Sequence, residues 1–361
     1  MGATFVSRGF WLVWPLLLFA APVAAEAQTQ ARVSVDGAIA IDQFVGQNTF
    51  DRPGVIIDVT AVARLADRWV VYVRPWIRHD PRNQVWNNEI YQAALQYERP
   101  GPIAIRVNAG YIVSPIGLGL MDSRPDANPT ITPHVAYLSP MPSFESGSVR
   151  VEPISGTYPF GGLLTLSTTL WDARVAVVNS APTRQYVINN DVNPRATPVV
   201  VAGAGITPTA GLRFGLAVAG GNYVTGEELS VAQDDGRGLR MIALEGEYSF
   251  GYTKVSGEVV RDRLETAIGA ERAYAWFVQG MQTLTPRWFV AARHEGVSAP
   301  PLRTAIVVGS RPRLGTVEAT VGYRLSPALT LRGSVVSRKA YTRAVWDQQA
   351  GISLVWAQRW W

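Results

Sequence analysis

The chain has 361 residues, a formal net charge of +5, 47 % apolar residues, 33 glycines and no cysteine. The missing cysteine excludes a disulfide scaffold and thiolate chemistry. The positive charge sits on arginines spread singly along the chain, with lysine only at Lys254 and Lys339; a nucleic-acid reader would cluster them in one basic run, so no nucleic-acid partner is expected.

Residues 1–27 read as a cleaved signal peptide. A short stretch with Arg8 precedes the apolar run Trp11–Ala20, and small residues follow up to Ala25 and Ala27, two candidate cleavage positions. Pro15, Pro22 and the shortness of the run disfavour the alternative, an uncleaved membrane anchor. No later stretch approaches the ~18 apolar residues that a membrane helix needs.

From about residue 31 the chain alternates apolar with polar or small residues over segments of about eight to ten residues, the pattern of half-buried strands. Val33, Val35, Ile39 and Ile41 alternate with Ser34, Asp36, Ala38 and Asp42, and Ile57, Val59, Ala61 and Ala63 follow. Trp69, Val71, Val73 and Ile77 then alternate with Tyr72, Arg74, Trp76 and Arg78. Strands over 89–98 and 103–112 come next. Eleven more lie near 160–168, 171–180, 197–206, 212–220, 240–250, 252–261, 272–284, 287–296, 315–325, 329–338 and 348–357, about 16 in all. Turn residues such as Thr207-Pro208, Ser249-Phe250-Gly251, Thr285-Pro286 and Ser326-Pro327 close alternate junctions. The other junctions, 43–54, 79–88, 113–159, 181–196, 221–239, 262–271, 297–314 and 339–347, are longer and more polar. Short turns at one end and long loops at the other are the layout of a membrane barrel. The predicted fold is all-β: a transmembrane antiparallel β-barrel of about 16 strands, one domain over 28–361, with a long third extracellular loop.

A secreted sandwich or propeller would also alternate. Here, however, Ala, Gly, Ser, Gln, Glu and Arg occupy the face that a soluble core would fill, while the bulky residues occupy the other. Trp69, Tyr97, Tyr248, Phe250, Trp288, Tyr323 and Trp356 lie near strand ends, where interfacial girdles belong. A barrel of about 16 strands is wide enough to hold an aqueous channel.

Catalysis finds little support. His79, His134 and His294 read as solvated loop and rim residues at no metal-ligand spacing. No catalytic residue, metal or cofactor is therefore predicted.

The third loop, 113–159, is long, proline-rich and apolar enough to pack, with Ile116, Leu118, Leu120, Tyr137, Leu138 and Phe144. Loops of this length without their own secondary structure are usually functional or disordered. The C-terminal strand, with Gly351, Leu354 and Trp356 at polar-x-Gly-x-x-hydrophobic-x-aromatic spacing, resembles the signal read by the barrel assembly machinery of outer membranes. Together with the strand rhythm and the dominant third loop, it makes nearly the whole mature chain similar to the Gram-negative porin superfamily. Gly110-Tyr-Ile-Val-Ser-Pro-Ile-Gly117 also resembles the entry to that loop in phosphate-selective-type porins. The resemblance implies a third loop folded into the lumen as a constriction, a homotrimer, and contact with outer-membrane lipid and lipopolysaccharide. It further implies a pore for small hydrophilic solutes. The scarcity of lysine departs from the anion-selective members.

Strand parity places Arg74, Arg78 and Arg106 inward on the wall from which the third loop departs. If the loop folds inward, Asp122, Asp126 and Glu145 would oppose them, and the constriction would carry a transverse field. The alternative is that these arginines pair with Glu98 or loop carboxylates and only hold wall and loop together. Arg293, Arg324, Arg332, Arg338 and Glu318 are predicted as further lumen charges, near balance with the inward acids. The expected function is passive diffusion of small hydrophilic solutes and ions through an outer-membrane channel. The alternatives are a channel specific for an anion or small organic acid, a barrel-embedded enzyme, and a structural barrel plugged by residues 113–159.

Overall fold

The computed structural model describes residues 32–47, 52–81, 84–118, 124–145, 151–154, 159–184, 198–226, 228–229, 236–302 and 309–360. The expected signal peptide lies outside them. The strands are β1 (Arg32–Gly46), β2 (Gly54–Ala66), β3 (Trp69–Asp80), β4 (Val85–Arg99), β5 (Ala104–Tyr111), β6 (Phe160–Ser167), β7 (Trp171–Val178) and β8 (Val199–Thr209). They continue with β9 (Leu212–Val224), β10 (Arg237–Phe250), β11 (Thr253–Thr266), β12 (Gly269–Thr283), β13 (Trp288–Ser298), β14 (Arg313–Arg324), β15 (Leu329–Lys339) and β16 (Asp347–Arg359). Each pairs antiparallel with its sequence neighbours, and β1 pairs with β16 to close the barrel. The one helix among the described residues is a single turn, α1 (Val135–Leu138), in the third loop.

Closure follows from the terminal strand. Ile39 stands opposite Trp356, Ile41 opposite Leu354 and Phe44 opposite Gly351. A Cβ at Gly351 would come within 2.5 Å of the Phe44 ring, so glycine there lets the ring lie across the seam. With β1 paired to β16, the sheet has no open edge.

Alternation sorts the two faces. Outward residues such as Ile242, Leu244, Val259, Val278, Val321 and Ile352 are exposed on the outer wall. Inward neighbours such as Met241, Ala243, Val260, Gln279 and Thr320 are buried. The pattern breaks where proline forces it to. Pro75 has no N–H for the ladder, and the β3–β4 register shifts between Arg74 and Pro75. Tyr91, the extra residue, turns inward and stacks on Trp76 with ring centroids 4.8 Å apart.

One junction differs from the sequence reading. The segment 262–271, expected as a long polar loop, is strand almost throughout: β11 runs to Thr266 and β12 starts at Gly269. Gly269, at φ +138°, supplies the backbone conformation for the tight turn. Its arginines and acids still alternate with apolar residues, so the ladder continues above the apolar band.

Glycine also sets packing near the tight-turn end of the lumen. A Cβ at Gly322 would lie 2.0 Å from the Phe289 ring that covers it. Gly322→Val is expected to displace that ring and destabilise the barrel by ~1–3 kcal/mol. A lower urea midpoint with unchanged slope, followed by tryptophan fluorescence in lipid vesicles, would show it; an unchanged midpoint would refute it.

Candidate functional site

The lumen is crossed by the third loop, as expected, but the loop docks on a different wall from the one predicted. A chain segment inside a barrel has no sheet partner for its N–H and C=O groups. Here charged side chains of the wall supply the partners. Glu318 on β14 accepts from the backbone N–H of Ile131 at 2.7 Å and from the N–H and hydroxyl of Thr132. Glu295 on β13 accepts from the N–H of Val135 at 3.0 Å, at the start of α1. Glu258 on β11 accepts from the N–H of Leu118 at 3.0 Å and from the Tyr137 hydroxyl.

Two arginines complete the dock. Arg332 on β15 donates through one nitrogen to the carbonyls of Pro125, Asn128 and Thr130, at 2.7–3.1 Å, and through the other to Ser353 at 2.8 Å. Arg293, fully buried, bridges Glu295 at 3.1 Å and Glu318 at 3.5 Å while donating to the Thr132 carbonyl at 2.5 Å. Charge-assisted bonds of this kind are roughly twice as strong as neutral ones, and they spare the loop backbone an unpaired burial.

Apolar packing adds to this. Ile112, Ile116, Val135, Tyr137, Met141 and Phe144 of the loop pack with inward residues of β6–β14, including Leu163, Val201, Met241, Val260 and Phe277. The inner wall is thus not uniformly polar. The bulky inward residues on these strands are those that face the loop.

The described members of the predicted constriction are held apart by other partners. Arg74 is buried and held by Asp58 through two bonds of 2.6 and 2.8 Å, under the Tyr91 ring. Arg106, with its side chain 56 % exposed, pairs with Glu98 at 3.4 Å. The register sets Arg74 opposite Gln92 and Arg106 opposite Glu98 on the same strand, so the two arginines are offset six residues, about 20 Å along the strand. Arg78 makes no ion pair among the described residues; its charge acts on Glu89 and Asp42 of the neighbouring wall.

The acidic half of that prediction is placed elsewhere too. Asp126 pairs with Arg124 at 3.0 Å, and Arg124 also donates to Asp36 of β1. Glu145 pairs with Arg237 of β10 at 3.1 Å and accepts from the N–H of Ala267 at 2.8 Å. Asp122 lies outside the described residues. Asp126 and Glu145 therefore face Arg124 and Arg237 rather than the Arg74 wall. Pairing with nearby acids, the second option, describes Arg74 and Arg106.

Of the further lumen charges, Arg293, Arg332 and Glu318 form the dock. Arg324 lies at the tight-turn end, donating to the Pro286 carbonyl at 3.0 Å with its guanidinium over Phe289. Arg338 stands opposite Asp347 near the long-loop end. His134, read as a solvated loop residue, is buried at the dock: it lies 3.4 Å from Glu295 and packs on Phe277. His79 approaches the Pro53 carbonyl at 3.2 Å, and His294 packs on Trp276 of the outer wall. Among the described residues no group of three or more His, Cys, Asp or Glu could hold a metal.

A charged ladder went unread. Arg213 on β9 bonds Glu245 of β10 at 2.6 Å and Asp172 of β7 at 3.0 Å, and Arg174 reaches Glu245 at 3.3 Å. These side chains lie flat across β8 because Gly205 and Gly215 leave room; a Cβ at either would come within 2.6 Å of them. Inward parity of Arg174 and Arg213, with glycines between them on β8, was the available signal. Across the lumen toward the same end stand Arg64, Glu98 and Arg106. One half-solvated charged patch and one largely buried charged ladder thus line the tight-turn half of the lumen.

The long-loop half is further filled from above. The Glu152 N–H donates to the Thr183 carbonyl at 2.9 Å, and Arg184 pairs with Glu228 at 2.8 Å. Segment 181–184 is therefore bonded to the third loop, and Glu228 joins it through Arg184.

Arg293→Met would leave Glu295 and Glu318 buried without their shared cation. A loss of ~3–5 kcal/mol is expected, with loop 113–159 newly cleavable by added protease. Arg106→Gln, at an exposed pair, should cost under ~1 kcal/mol. Equal stabilities of the two variants would refute the docking role. Asp262, fully buried on β11, has no hydrogen-bond partner for either oxygen among the described residues. Asp262→Leu is expected to stabilise the barrel by ~1–3 kcal/mol in the same urea assay; a loss of stability would show a partner for the carboxylate.

No protein-family model and no curated protein sequence matches the chain. Solved structures do match. The trimer form of OmpT, an outer membrane protein of Vibrio cholerae, aligns over 91 % of this chain and 99 % of its own at 11 % identity and a TM-score of 0.58. OmpF of Salmonella typhi, in complex with daunomycin, aligns over 91 % and 98 % at 9 % identity and a TM-score of 0.61. The anion-selective porin from Comamonas acidovorans aligns over 91 % and 100 % at 10 % identity and a TM-score of 0.57. The architecture is accordingly that of the Gram-negative outer-membrane porins: a closed antiparallel barrel of 16 strands with its third loop inside.

Proposed function

We propose that this chain is an outer-membrane channel for passive diffusion of small hydrophilic solutes and ions, exported by its N-terminal segment and working without a catalytic step or cofactor. The observation that carries this reading is the pairing of an apolar outer wall with half-solvated charges on the inner one. Arg64 and Arg106 retain about half their side-chain exposure, 47 % and 56 %, inside a closed barrel. A barrel of about 16 strands has room for such water. Assembly as a homotrimer and insertion guided by Gly351, Leu354 and Trp356 belong to the same reading, the trimer supported by the trimeric form of a structural neighbour.

A specific observation favours a second reading. The apolar packing of the third loop against β6–β14, with segment 181–184 bonded to it and Glu228 paired with Arg184, narrows the long-loop half on that side. In this reading the loop is a plug or selective gate, and any passage runs beside β1–β4, past Asp42, Arg78 and Glu89.

Recording of the purified protein in a planar bilayer under a KCl gradient separates the two. Stable ohmic steps are expected from the channel, and no conductance from a barrel that remains heat-resistant in detergent would refute it. Saturable current, or block by one solute at low concentration, would favour the selective gate. Arg64→Gln combined with Arg106→Gln is expected to shift the reversal potential toward cations. An unchanged potential would show that the ions do not pass this patch.

A further inference from the structure

The wall made by β3 and β4 swells into the lumen at one level. Alternation allots β4 no inward side chain between Glu89, which faces Trp76, and Gln92, which faces Arg74. The bulge at Pro75 adds one, Tyr91, and its ring lies inward on Trp76. The two rings stack with centroids 4.8 Å apart and planes 16° from parallel. Ile56 of β2 and Val113, at the root of the third loop, pack against them. Trp76 and Tyr91 are each only 8 % exposed, so these four apolar side chains cover one another.

The barrel wall braces the pair from behind. The Arg74 guanidinium lies 5.7 Å from the centroid of the Tyr91 ring. Asp58 of β2, fully buried, holds that guanidinium through two bonds of 2.6 and 2.8 Å. Cation–π attraction and a bidentate ion pair together fix the ring in place. The residues that dock the third loop, Glu258, Glu295, Glu318, Arg293 and Arg332, stand on β11–β15 and take no part.

Charges flank this apolar level. Glu89 stands opposite Trp76, and Arg78 stands opposite Ile56 on the side of the long loops. Arg64, Glu98 and Arg106 lie toward the tight turns. A solute moving beside β1–β4 meets polar side chains, then an apolar step, then polar side chains again. Water withdraws readily from a narrow apolar step, and hydrated ions are held back with it.

We infer that Trp76 and Tyr91, with Ile56 and Val113, form a hydrophobic constriction carried by the barrel wall, a second neck separate from the third-loop dock. It passes small solutes with a flat, weakly hydrated face and hinders strongly hydrated ions. The inference rests on the channel reading above, with passage beside β1–β4.

The test records the full barrel and its Trp76→Ala, Tyr91→Ala double variant in planar bilayers with KCl. Conductance is expected to rise about twofold or more as the apolar step widens. Heat resistance in detergent and protease resistance of loop 113–159 should be retained. Unchanged conductance in the folded variant, beside a conducting wild type, overturns the inference and leaves the channel standing. A rise accompanied by cleavage of the loop overturns it too, since release of the loop would then account for the current. A silent wild type with a conducting variant supports the constriction and counts against the open channel alone. Silence of both overturns the inference and the channel together. The chain has no cysteine, so Tyr91→Cys supplies a single thiol by a milder change that tests the same point. A charged, water-soluble methanethiosulfonate is expected to cut the current of that variant by about half; an unaffected current overturns the inference.

Discussion

A polypeptide segment folded inside a barrel has to find hydrogen-bond partners for its own backbone. The third loop leaves β5 and enters a lumen whose strand backbones are already paired with one another. Its N–H groups go to Glu258, Glu295 and Glu318, and its carbonyls to Arg293 and Arg332. Once those five side chains are committed, much else follows. Wall acids and bases alternate because the loop presents both donors and acceptors. The apolar inward residues of β6–β14 are those facing the loop's own apolar side.

The dock divides the lumen. Toward the tight turns, the Asp172–Arg174–Arg213–Glu245 ladder and the Arg64–Glu98–Arg106 group remain in contact with water. Toward the long loops, packing replaces water over much of the cross-section. In the proposed channel, selectivity would be set where the two regions meet, by partly solvated charges whose fields are less screened than in bulk water. On the outer face the same alternation leaves apolar residues exposed and collects Arg240, Arg261, Arg263, Arg272 and Arg313 at one edge.

The barrel was legible because its signal is local. Period-two alternation at Ile57–Ala63 or Trp69–Arg78 specifies a strand and its two faces without any knowledge of its partner. The number of strands, the tight turns and the inward parity of Arg74, Arg106, Arg293 and Arg332 all come from that pattern. The misread junction at 262–271 is instructive. Its charges looked like loop composition, yet Arg261, Arg263 and Arg272 face outward while Asp262 and Glu271 face inward, the alternation of a strand that runs past the membrane. His134 was misread because the residues that bury it, Phe277 and Glu295, are distant in sequence.

By itself, then, the sequence determined the β class, the strand rhythm, the sidedness of residues in the regular strands and the presence of one dominant loop, since the strand pattern is set by neighbours two residues apart. Which charges meet was decided only by the tertiary structure. Parity says that Arg74 and Arg106 point inward, but not that six residues of register separate them, nor that Asp58 holds the first and Glu98 the second. Nor can it say that the loop crosses to β11–β15, because that choice depends on side chains 140–207 residues away matching unpaired backbone groups in three dimensions.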